Sequence, residues 1–445
     1  MNLILGLDIG TTKDAAVLFD GDTFRCAACA GIVHHADEGS GRQDPERHLD
    51  AVRKAVAGLP KALRKEVRGI GISTQMHGVV CWNEIPGETT PLYTWQSRTD
   101  GLEQLQRLPG CKRLRHGFGG ATLGMLARSG ELKKWTRCGT IGDYIVCHLT
   151  GTAEAVIDRG NAASWGLMEF DGSGFDPEAV QALGIPAGLL PEVVPPGNAA
   201  GKLCRQWSSL LGVSEAVEVK AALGDNQASV LAAIRDPDQG ISLTLGTGAQ
   251  ISVVVPNREA KRWKNRVELR PYFGETSLAV GAPLCGGAVW TALMNFWKSG
   301  FAAAGENPDA EALFRMLDAA AERELESPDL PRFSPSFLGE RNNPEARGEL
   351  TGLTLENFTC GKVAAALARG IAENLRRMLP EELLAGKSRL AVSGNGFRRN
   401  GSLCRAAELV FGLPVVKTEF TEEAACGAAM AFLQTASDSY STVIR

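Results

Sequence analysis

The chain lacks the charge blocks and apolar runs that mark several large classes of protein. Lys and Arg number 47 and Asp and Glu number 51, a formal net charge of −4, and no long run carries charge of one sign. A nucleic-acid coat and a polybasic membrane anchor are therefore disfavoured. The long uncharged stretch 276–297 is broken by Pro283, Gly286 and Asn295, which predicts a strand, a loop and a helix in place of a transmembrane span. Asp8 interrupts the apolar opening of the chain before a signal-peptide core can form.

Cysteine is present, but not in the pattern of a disulfide framework. Eleven cysteines are spread from Cys26 to Cys426, and an odd number in a long chain fits reduced thiols, which predict a cytoplasmic protein. The segment Cys26-Ala-Ala-Cys29 is followed by His34 and His35, a combination that invites a zinc site. In the strand predicted here the two thiols point to opposite faces, and no second cysteine pair follows. Zinc is therefore disfavoured.

The composition is that of a folded protein with more than one domain. Hydrophobic residues make up 44% and charged residues 22% of the 445 residues, close to globular averages, so a buried core can form. At roughly 150 residues per domain, this length predicts about three domains or two large ones. The 51 glycines follow no collagen period and imply many tight turns and close backbone approaches.

The first part of the chain predicts three antiparallel strands, a helix and a parallel strand. The predicted strands cover 3–7, 15–19, 23–33 and 67–73. A small-residue turn over 8–12 separates the first two strands. Asp44 is a cap and Pro45 a first helical residue for a helix that ends near Gly58. The resulting order is βββαβ with a parallel crossover.

A similar unit recurs in the second half. The predicted strands cover 241–245, 249–255, 277–280 and 390–392. A Gly-Thr-Gly turn over 246–248 joins the first two strands, and helices are predicted over 287–301 and 361–379, the latter from an apolar stripe of helical period. An Asp-Pro-Asp-Gln-Gly sequence is the best linker and divides the chain into domains 1–236 and 237–445.

The two small-residue turns are candidate phosphate sites. Asp8 places a carboxylate at the end of a strand, and Thr11 and Thr12 follow it in a glycine-permitted turn that frees backbone N–H groups and hydroxyls for phosphate and a metal ion. The alternative is an ordinary hairpin whose Asp bonds its own turn. Gly246 and Thr247 form a second such turn, and two turns on duplicated halves can hold one polyphosphate from both sides.

Asp225 is a candidate catalytic carboxylate where a strand gives way to a helix beginning near Asn226. Asp is a preferred helix cap, which is the structural alternative. As a general base, Asp225 accepts the proton of a substrate hydroxyl while that oxygen attacks a γ-phosphate. Its position after a strand and ahead of the linker favours the catalytic interpretation.

A set of polar and aromatic residues suits a carbohydrate. Gln75 and His77 follow the predicted parallel strand at its carboxyl end, where α/β sheets bind ligands. Trp82 and Trp95 add aromatic faces that stack on sugar C–H surfaces. A lone histidine is more often structural, but together these residues favour a polyol or sugar as the ligand.

On these residues the sequence resembles the FGGY carbohydrate kinases. The matches follow one another along nearly the whole chain, at 7–12, 75–78, 94–98, 143–144, 149–151, 224–226, 245–248, 337–354, 393–400 and 422–429. The resemblance implies an α/β protein with the two-domain actin-like ATPase fold, each domain having a ribonuclease-H-like mixed sheet as its core. It also implies ATP as the phosphoryl donor with Mg²⁺.

The resemblance further implies roles for matched positions. Asp225 is expected to be the catalytic base and Asp8 the carboxylate that positions Mg²⁺. Phosphate contacts are expected from Thr11, Thr12, Gly246 and Thr247. The adenosine pocket is expected to include Gly394, Asn395, Gly396 and Asn400. Sugar contacts are expected from Gln75, Met76, His77, Trp95 and Asn226.

Two positions depart from the family pattern. Many members carry a basic residue where this chain has Ala15, and Lys13 either makes the phosphate contact in its place or is exposed. Several relatives carry a carboxylate where this chain has Ser97. The segments 75–78 and 94–96 are most similar to sedoheptulokinases, with xylulokinases next, which favours phosphorylation of a ketose at a terminal hydroxyl.

Other functions remain as alternatives. A sugar- and nucleotide-binding regulator without transfer activity is consistent with Ala15 and Ser97. An actin-like filament or chaperone ATPase is disfavoured, because neither needs the sugar-facing residues of 75–78 and Trp95. The expected partner is a small-molecule sugar, with no nucleic acid and no membrane, and the chain is expected to be a monomer or a homodimer.

Overall fold

A computed structural model describes residues 2–34, 41–168, 173–234, 236–246, 248–263, 266–340, 343 and 345–434. Within these residues the chain forms two compact units. The first unit contains 2–232, 270–276 and 420–434, and the second contains 233–269 and 277–419. The sequence predicted one division at residue 236. The chain does leave the first unit nearby, after Ala232, and two later segments then belong to that unit.

The described residues form short and long strands interleaved with helices. The strands are β1 (Leu3–Ile9), β2 (Lys13–Asp20), β3 (Arg25–Val33), β4 (Arg42–Gln43), β5 (Val67–Thr74), β6 (Val80–Trp82), β7 (Leu92–Tyr93), β8 (Arg137–Gly139), β9 (Val156–Asp158), β10 (Glu192–Val194), β11 (Ala199–Lys202), β12 (Glu218–Lys220), β13 (Leu223–Gly224), β14 (Gly240–Leu245), β15 (Ala249–Pro256), β16 (Glu268–Pro271), β17 (Thr276–Gly281), β18 (Arg332–Ser334), β19 (Glu349–Thr351), β20 (Arg389–Ser393) and β21 (Val415–Lys417). The helices are α1 (Pro45–Ala57), α2 (Lys61–Arg64), α3 (Leu102–Gln106), α4 (Gly119–Ser129), α5 (Ile141–Thr150), α6 (Arg159–Ser164), α7 (Pro177–Ala182), α8 (Arg205–Leu211), α9 (Asp225–Ala233), α10 (Asn257–Trp263), α11 (Gly287–Ala303), α12 (Ala310–Glu324), α13 (Cys360–Arg377), α14 (Glu381–Leu384), α15 (Gly394–Arg399), α16 (Gly401–Phe411) and α17 (Glu423–Leu433).

The first unit is built on a mixed sheet that contains the predicted βββαβ order. Among the described residues this sheet runs β11-β12-β5-β1-β2-β3, with β13 also paired to β5. β1 and β2 are antiparallel, as are β2 and β3, while β5 lies parallel to β1. Asp44 caps α1 by accepting from the Glu46 N–H, and Pro45 is the first helical residue, as predicted from this pair.

The second unit repeats the same strand order. Its six-stranded sheet, counted over the described residues, runs β16-β17-β15-β14-β20-β21. β14 is antiparallel to β15 and parallel to β20, and β20 is parallel to β21. The sequence β17-β15-β14-β20-β21 therefore corresponds to β3-β2-β1-β5-β12 of the first unit. The predicted recurrence of a pair of antiparallel strands, β1 with β2 and β14 with β15, is confirmed as part of a duplicated sheet.

Helix α13 covers the second sheet with the stripe that its sequence predicts. Val363, Leu367, Ile371 and Leu375 are buried along one face, at the spacing that brings side chains together on a helix. Thr359 caps the helix by accepting from a backbone N–H of its first turn. These side chains join those of β14 and β15 in one hydrophobic core, which holds the strand ends of this unit in place.

Glycines let α17 lie directly on the sheet of the first unit. A Cβ atom on Gly6 of β1 would stand 2.1 Å from the Ala425 carbonyl oxygen, and one on Gly71 of β5 would stand 2.0 Å from that of Ala428. Both distances are shorter than any real carbon contact, so a side chain at either position would push the helix away. This close approach is the reason why a segment near the end of the chain belongs to the first unit.

All eleven cysteines are free thiols, in keeping with the reduced state that their number and spacing predict.

In the described part of the chain, no helix has both the length and the apolar character needed to cross a membrane.

Candidate active site

Three parallel strands of the first unit end at the same edge of its sheet. Asp8 of β1 pairs in register with Ser73 of β5, and Thr74 pairs with Gly224 of β13. Because parallel strands place their carboxyl ends on one side, the residues that follow them are brought together. The structure thus places the predicted residues Asp8, Gln75 and Asp225 along one edge.

The Asp8 carboxylate is held in a partly buried position beside a second acid. Its Oδ1 accepts a hydrogen bond of 2.8 Å from the Ser73 hydroxyl. Burial, with a further contribution from the charge on Asp225, raises the pKa of Asp8 to about 7, although the Ser73 bond acts in the opposite direction. Two neighbouring carboxylates disfavour each other's ionised form, and a bound cation relieves that repulsion. Carboxylate oxygens are ligands that Mg²⁺ prefers, so this donor set fits the implied ion.

Asp225 begins α9 and faces two groups that favour its charged form. Its Oδ1 accepts from the Asn226 backbone N–H at 2.7 Å. Burial raises the pKa of Asp225, while that N–H and the nearby Arg270 guanidinium lower it. A carboxylate with a raised pKa that keeps a positive neighbour is suited to accept a proton near neutral pH.

Sequence reasoning missed Arg270. This side chain is 3% exposed, and its Nη1 lies 3.5 Å from the Sδ of Met76, so it connects a predicted sugar residue with the predicted base. Nothing in the local pattern marks it, because it belongs to the segment 270–276, which joins the first unit only through the tertiary fold.

The turn after β1 is connected to the predicted sugar residues by hydrogen bonds. The Thr11 hydroxyl donates to the Gln75 Oε1 at 3.2 Å and accepts from the Trp95 Nε1 at 2.9 Å. Gln43 donates to the Thr11 carbonyl at 2.7 Å and accepts from Gln75 at 3.1 Å. Trp95 remains 37% exposed, which leaves an aromatic face available. Thr11, Gln75 and Trp95 are therefore one connected group.

Lys13 has a partner that the sequence did not indicate. Its ammonium group forms an ion pair with Glu422, just before α17. The pair connects β2 to the segment that precedes the helix, and a phosphate at Lys13 would have to compete with Glu422 or share the lysine with it. Thr12, the other predicted phosphate residue here, is exposed.

His77 has an unusual backbone conformation and contacts Ser164 and Phe118. Its φ is +72°, in the left-handed region that non-glycine residues rarely adopt. The backbone N–H donates to the Ser164 Oγ at 3.0 Å, and Nδ1 lies 2.8 Å from the Ser164 carbonyl oxygen. The ring stacks on Phe118 with 4.6 Å between centroids. Since a carbonyl only accepts, Nδ1 carries the proton, which makes Nε2 of the neutral ring an acceptor suited to a hydroxyl.

Ser97, where the sequence predicts a departure from the family pattern, has a structural contact. It is 2% exposed, and its hydroxyl donates to the Gly41 carbonyl at 2.5 Å. This hydrogen bond fastens the loop that carries Trp95.

Two other buried carboxylates of the first unit cap helices. Burial raises the pKa of Asp143 to about 8 and that of Asp158 to about 6. Both accept hydrogen bonds from backbone N–H groups at helix starts, so their role is capping.

The second unit brings its glycine turn and the glycine-rich start of α15 together in the same way. β14 and β20 are parallel neighbours, with Thr244 opposite Ser393 and their hydroxyls 2.8 Å apart. Gly394 has a φ of +83°, and a Cβ there would stand 2.6 Å from the Leu245 carbonyl oxygen. Only glycine fits this approach, so the end of β14 at Leu245 lies against the start of α15.

The other predicted nucleotide residues differ in accessibility. Asn395 is exposed, whereas Asn400, between α15 and α16, is 2% exposed. A Cβ on Gly396 would stand 2.5 Å from the Leu245 side chain, so this glycine also permits a close approach. Thr247, the remaining predicted phosphate residue, lies outside the described residues.

Comparison with known proteins assigns the chain to a family. The N-terminal domain profile of the FGGY family of carbohydrate kinases matches residues 3–117 and 127–232, and the C-terminal domain profile matches 242–435. The chain belongs to the FGGY family of carbohydrate kinases. The family predicted from the sequence is confirmed.

Individual relatives agree with this assignment. Sedoheptulokinase from Homo sapiens is 32% identical over 97% of both chains. Among solved structures, xylulose kinase from Rhodospirillum rubrum has a TM-score of 0.79 at 22% identity, covering 97% of this chain and 88% of its own. Glycerol kinase from Plasmodium falciparum, solved with ADP, has a TM-score of 0.74 at 17% identity, covering 97% and 89%.

The comparisons also establish the fold class and the reaction type. The solved FGGY kinases share the two-domain actin-like ATPase fold, so the predicted fold class is confirmed. The chain is an ATP-dependent carbohydrate kinase, a phosphotransferase that acts on a small-molecule sugar, as the motifs in its sequence predicted.

The raised pKa of Asp8 leads to a prediction about stability. The carboxyl has an ordinary pKa of 3.8, and in the folded chain it titrates at about 7, so the ionised form opposes folding. Stability is lost as pH rises from about 4 to 7 and stays low above that range. We expect Asp8→Asn, without Mg²⁺ or nucleotide, to raise the Tm above that of the wild type at pH 8, with a difference that shrinks toward pH 5. Differential scanning fluorimetry measures the Tm of both proteins at each pH.

The matched control is Asp100→Asn, which removes an exposed carboxylate of the same unit and should leave the Tm unchanged at both pH values. A lower Tm for Asp8→Asn than for the wild type at pH 8 would show that the surroundings stabilise the ionised carboxylate.

Proposed function

We propose that this kinase transfers the γ-phosphoryl group of MgATP to a terminal hydroxyl of a ketose, with sedoheptulose as the favoured substrate. A pentulose such as xylulose is the alternative. The observation that carries the proposal is that Asp225 lies at the same sheet edge as Asp8 and the connected group of Thr11, Gln75 and Trp95. The 32% identity with human sedoheptulokinase over 97% of both chains supports the choice of sugar.

Asp225 is the proposed general base. Its carboxylate takes the proton of the sugar hydroxyl as that oxygen attacks the γ-phosphorus, the new O–P bond forms, and the bond from the γ-phosphorus to the bridging oxygen breaks to leave ADP. Arg270 is the proposed positioning residue, because its charge favours the ionised form of Asp225. Without that charge, burial alone would keep more of the base protonated at neutral pH.

Asp8 is the proposed holder of Mg²⁺, either directly or through water. The bound ion would supply positive charge to the phosphate oxygens. The Ser73 hydroxyl, which donates to Asp8 Oδ1, orients the carboxylate and leaves its second oxygen available to the ion. The high pKa of Asp8 makes this site sensitive to acid, since the protonated carboxyl is a poor ligand.

The sugar contacts are proposed for the residues around the end of β5. Gln75 and His77 Nε2 would bond hydroxyls, and the exposed face of Trp95 would stack on the C–H surface of the sugar. Asn226, which follows the base, would contact the same ligand. Met76 is 4% exposed, so its proposed role is to shape the wall of the pocket.

The nucleotide contacts are proposed for both glycine turns. In the first unit Thr11, Thr12 and Lys13 are the phosphate candidates. In the second unit the candidates are Gly246, Thr247, Gly394, Asn395, Gly396 and Asn400. A cytoplasmic location and a monomeric or dimeric state remain predictions.

A ketose panel tests the choice of substrate. We expect MgATP turnover to ADP with sedoheptulose at a kcat/KM roughly tenfold or more above that with xylulose, ribulose or fructose, since a pocket built for more hydroxyls loses contacts with a shorter sugar. Coupled ADP release measures each rate, and a sugar-free reaction is the control. A xylulose preference would move the assignment to the pentulose alternative, and no sugar-dependent ADP release would contradict the proposal.

Replacing the base tests its role. We expect Asp225→Asn to lower kcat by about 10²- to 10⁴-fold, because the amide cannot accept the proton, while nucleotide binding by calorimetry stays within a few fold of the wild type. Asp100→Asn, at an exposed site, is the control and should keep wild-type turnover. Wild-type turnover in Asp225→Asn would show that another group is the base.

Replacing Arg270 tests its electrostatic role. Because its charge lowers the pKa of Asp225, we expect Arg270→Met to shift the acid limb of the kcat/KM profile to higher pH, so that activity at pH 6 falls more than activity at pH 8. Arg270→Lys keeps the charge and should leave the limb near its wild-type position. An equal loss at every pH in both variants would indicate a packing role only.

A further inference from the structure

A buried carboxylate of β2 contacts two histidines beneath the first glycine turn. Asp14 is fully buried. Its Oδ1 lies 3.3 Å from the Nε2 of His34, just after β3, and its Oδ2 lies 2.9 Å from the Nδ1 of His48 on α1. The rings of the two histidines are perpendicular, with 4.7 Å between centroids. None of these three residues has a role in the proposed phosphoryl transfer.

The hydrogen bond made by His48 Nε2 determines whether Nδ1 of the neutral ring is a donor or an acceptor. His48 Nε2 lies 3.1 Å from Gln43 Oε1. The orientation of that amide is set by its nitrogen, which donates to the Thr11 carbonyl, and by its oxygen, which accepts from Gln75. Nε2 therefore donates a proton to Gln43, and a neutral His48 has a lone pair on Nδ1, directed at the Asp14 carboxylate. Two acceptors facing each other need either a proton, on the ring or on the carboxyl, or a metal ion between them.

The distances suit a metal ion. The carboxylate oxygen, His34 Nε2 and His48 Nδ1 all lie within 4.8 Å of one another. A tetrahedral zinc ion with bonds of roughly 2.0–2.1 Å spaces its ligand atoms about 3.3 Å apart. Asp14 Oδ1 lies 3.3 Å from His34 Nε2 and 3.2 Å from His48 Nδ1, close to that spacing. His48 also has the outer hydrogen bond that orients metal-binding imidazoles, and the Gly10 N–H donates to Asp14 Oδ1 at 3.1 Å.

We propose that Asp14, His34 and His48 form a binding site for a divalent transition-metal ion, with Zn²⁺ as the ion that the donor set fits best. Two imidazoles and one carboxylate suit Zn²⁺ better than Mg²⁺, which prefers oxygen ligands. The side chain of His34 is 14% exposed, which provides access for the ion and for a water as fourth ligand. The site is separate from the rejected Cys26 and Cys29 pair.

The ion would join three elements to the first glycine turn. Asp14 belongs to β2, His34 follows β3 and His48 belongs to α1, while Gly10 and Gln43 connect the cluster to the turn itself. Metal binding would therefore stabilise the first unit. Its occurrence does not depend on the proposed ketose kinase reaction, and its test does not use activity.

The full chain, purified without an affinity tag and stripped with a chelator, tests the site. We expect about one equivalent of Zn²⁺ or Co²⁺ to bind in a large excess of Mg²⁺, measured by elemental analysis and calorimetry. The Co²⁺ form should show the visible bands of a tetrahedral ion with nitrogen and oxygen ligands, and Zn²⁺ should raise the Tm. This spectrum tests the site without any substitution.

Two variants locate the ion. His34→Gln removes the most accessible ligand and should weaken binding at least tenfold while keeping the Tm of the metal-free protein. Cys29→Ser removes an exposed thiol of the rival pair and should bind as the wild type does. The proposal is overturned if the wild type binds no stoichiometric Zn²⁺ or Co²⁺, if His34→Gln binds unchanged, if Cys29→Ser loses the ion, or if nuclear magnetic resonance shows His48 doubly protonated with Zn²⁺ present.

Discussion

The parallel register of β1, β5 and β13 is the constraint on which the candidate active site depends. It places Asp8 and Asp225 at one sheet edge, although more than two hundred residues separate them in the chain. Each carboxylate is partly buried, and burial raises the pKa of both. The chain therefore holds an acidic pair that is costly to ionise, and the Arg270 charge lowers that cost at Asp225. A cation at the proposed Asp8 site would lower it further, so the proposed function and the stability of the free chain oppose each other at this edge.

Hydrogen bonds join the turn after β1 to the residues proposed to bind the sugar. Thr11 is connected to Trp95, Gln75 and Gln43, so residues proposed for phosphate and for sugar share contacts. Such a connected group orients its members better than isolated turns do. The same group reaches His48 through Gln43, which places the proposed metal site directly behind it.

The duplicated sheets make close backbone approach a general requirement of this fold. α17 lies on Gly6 and Gly71 in the first unit, and Leu245 lies against Gly394 and Gly396 in the second. Each approach is closer than a side chain allows, and the abundance of glycine follows from this packing as well as from turns. Ser97, at one predicted departure from the family pattern, fastens a loop, and Lys13, the predicted substitute for the basic residue missing at Ala15, pairs with Glu422.

The sequence by itself determined the central strands of both sheets (β1, β2, β3, β5, β14, β15, β17 and β20), helices α1, α9, α11 and α13, the family and the reaction type. These depend on local signals, namely the period of apolar residues, capping pairs such as Asp44 and Pro45, and short motifs with a chemical purpose. The tertiary structure alone decided that Arg270 lies near Asp225, that Glu422 pairs with Lys13, and that His34 and His48 meet at Asp14. Each of these contacts joins segments far apart in the chain, where no local pattern indicates which partner a side chain will find, so only the packed fold reveals them.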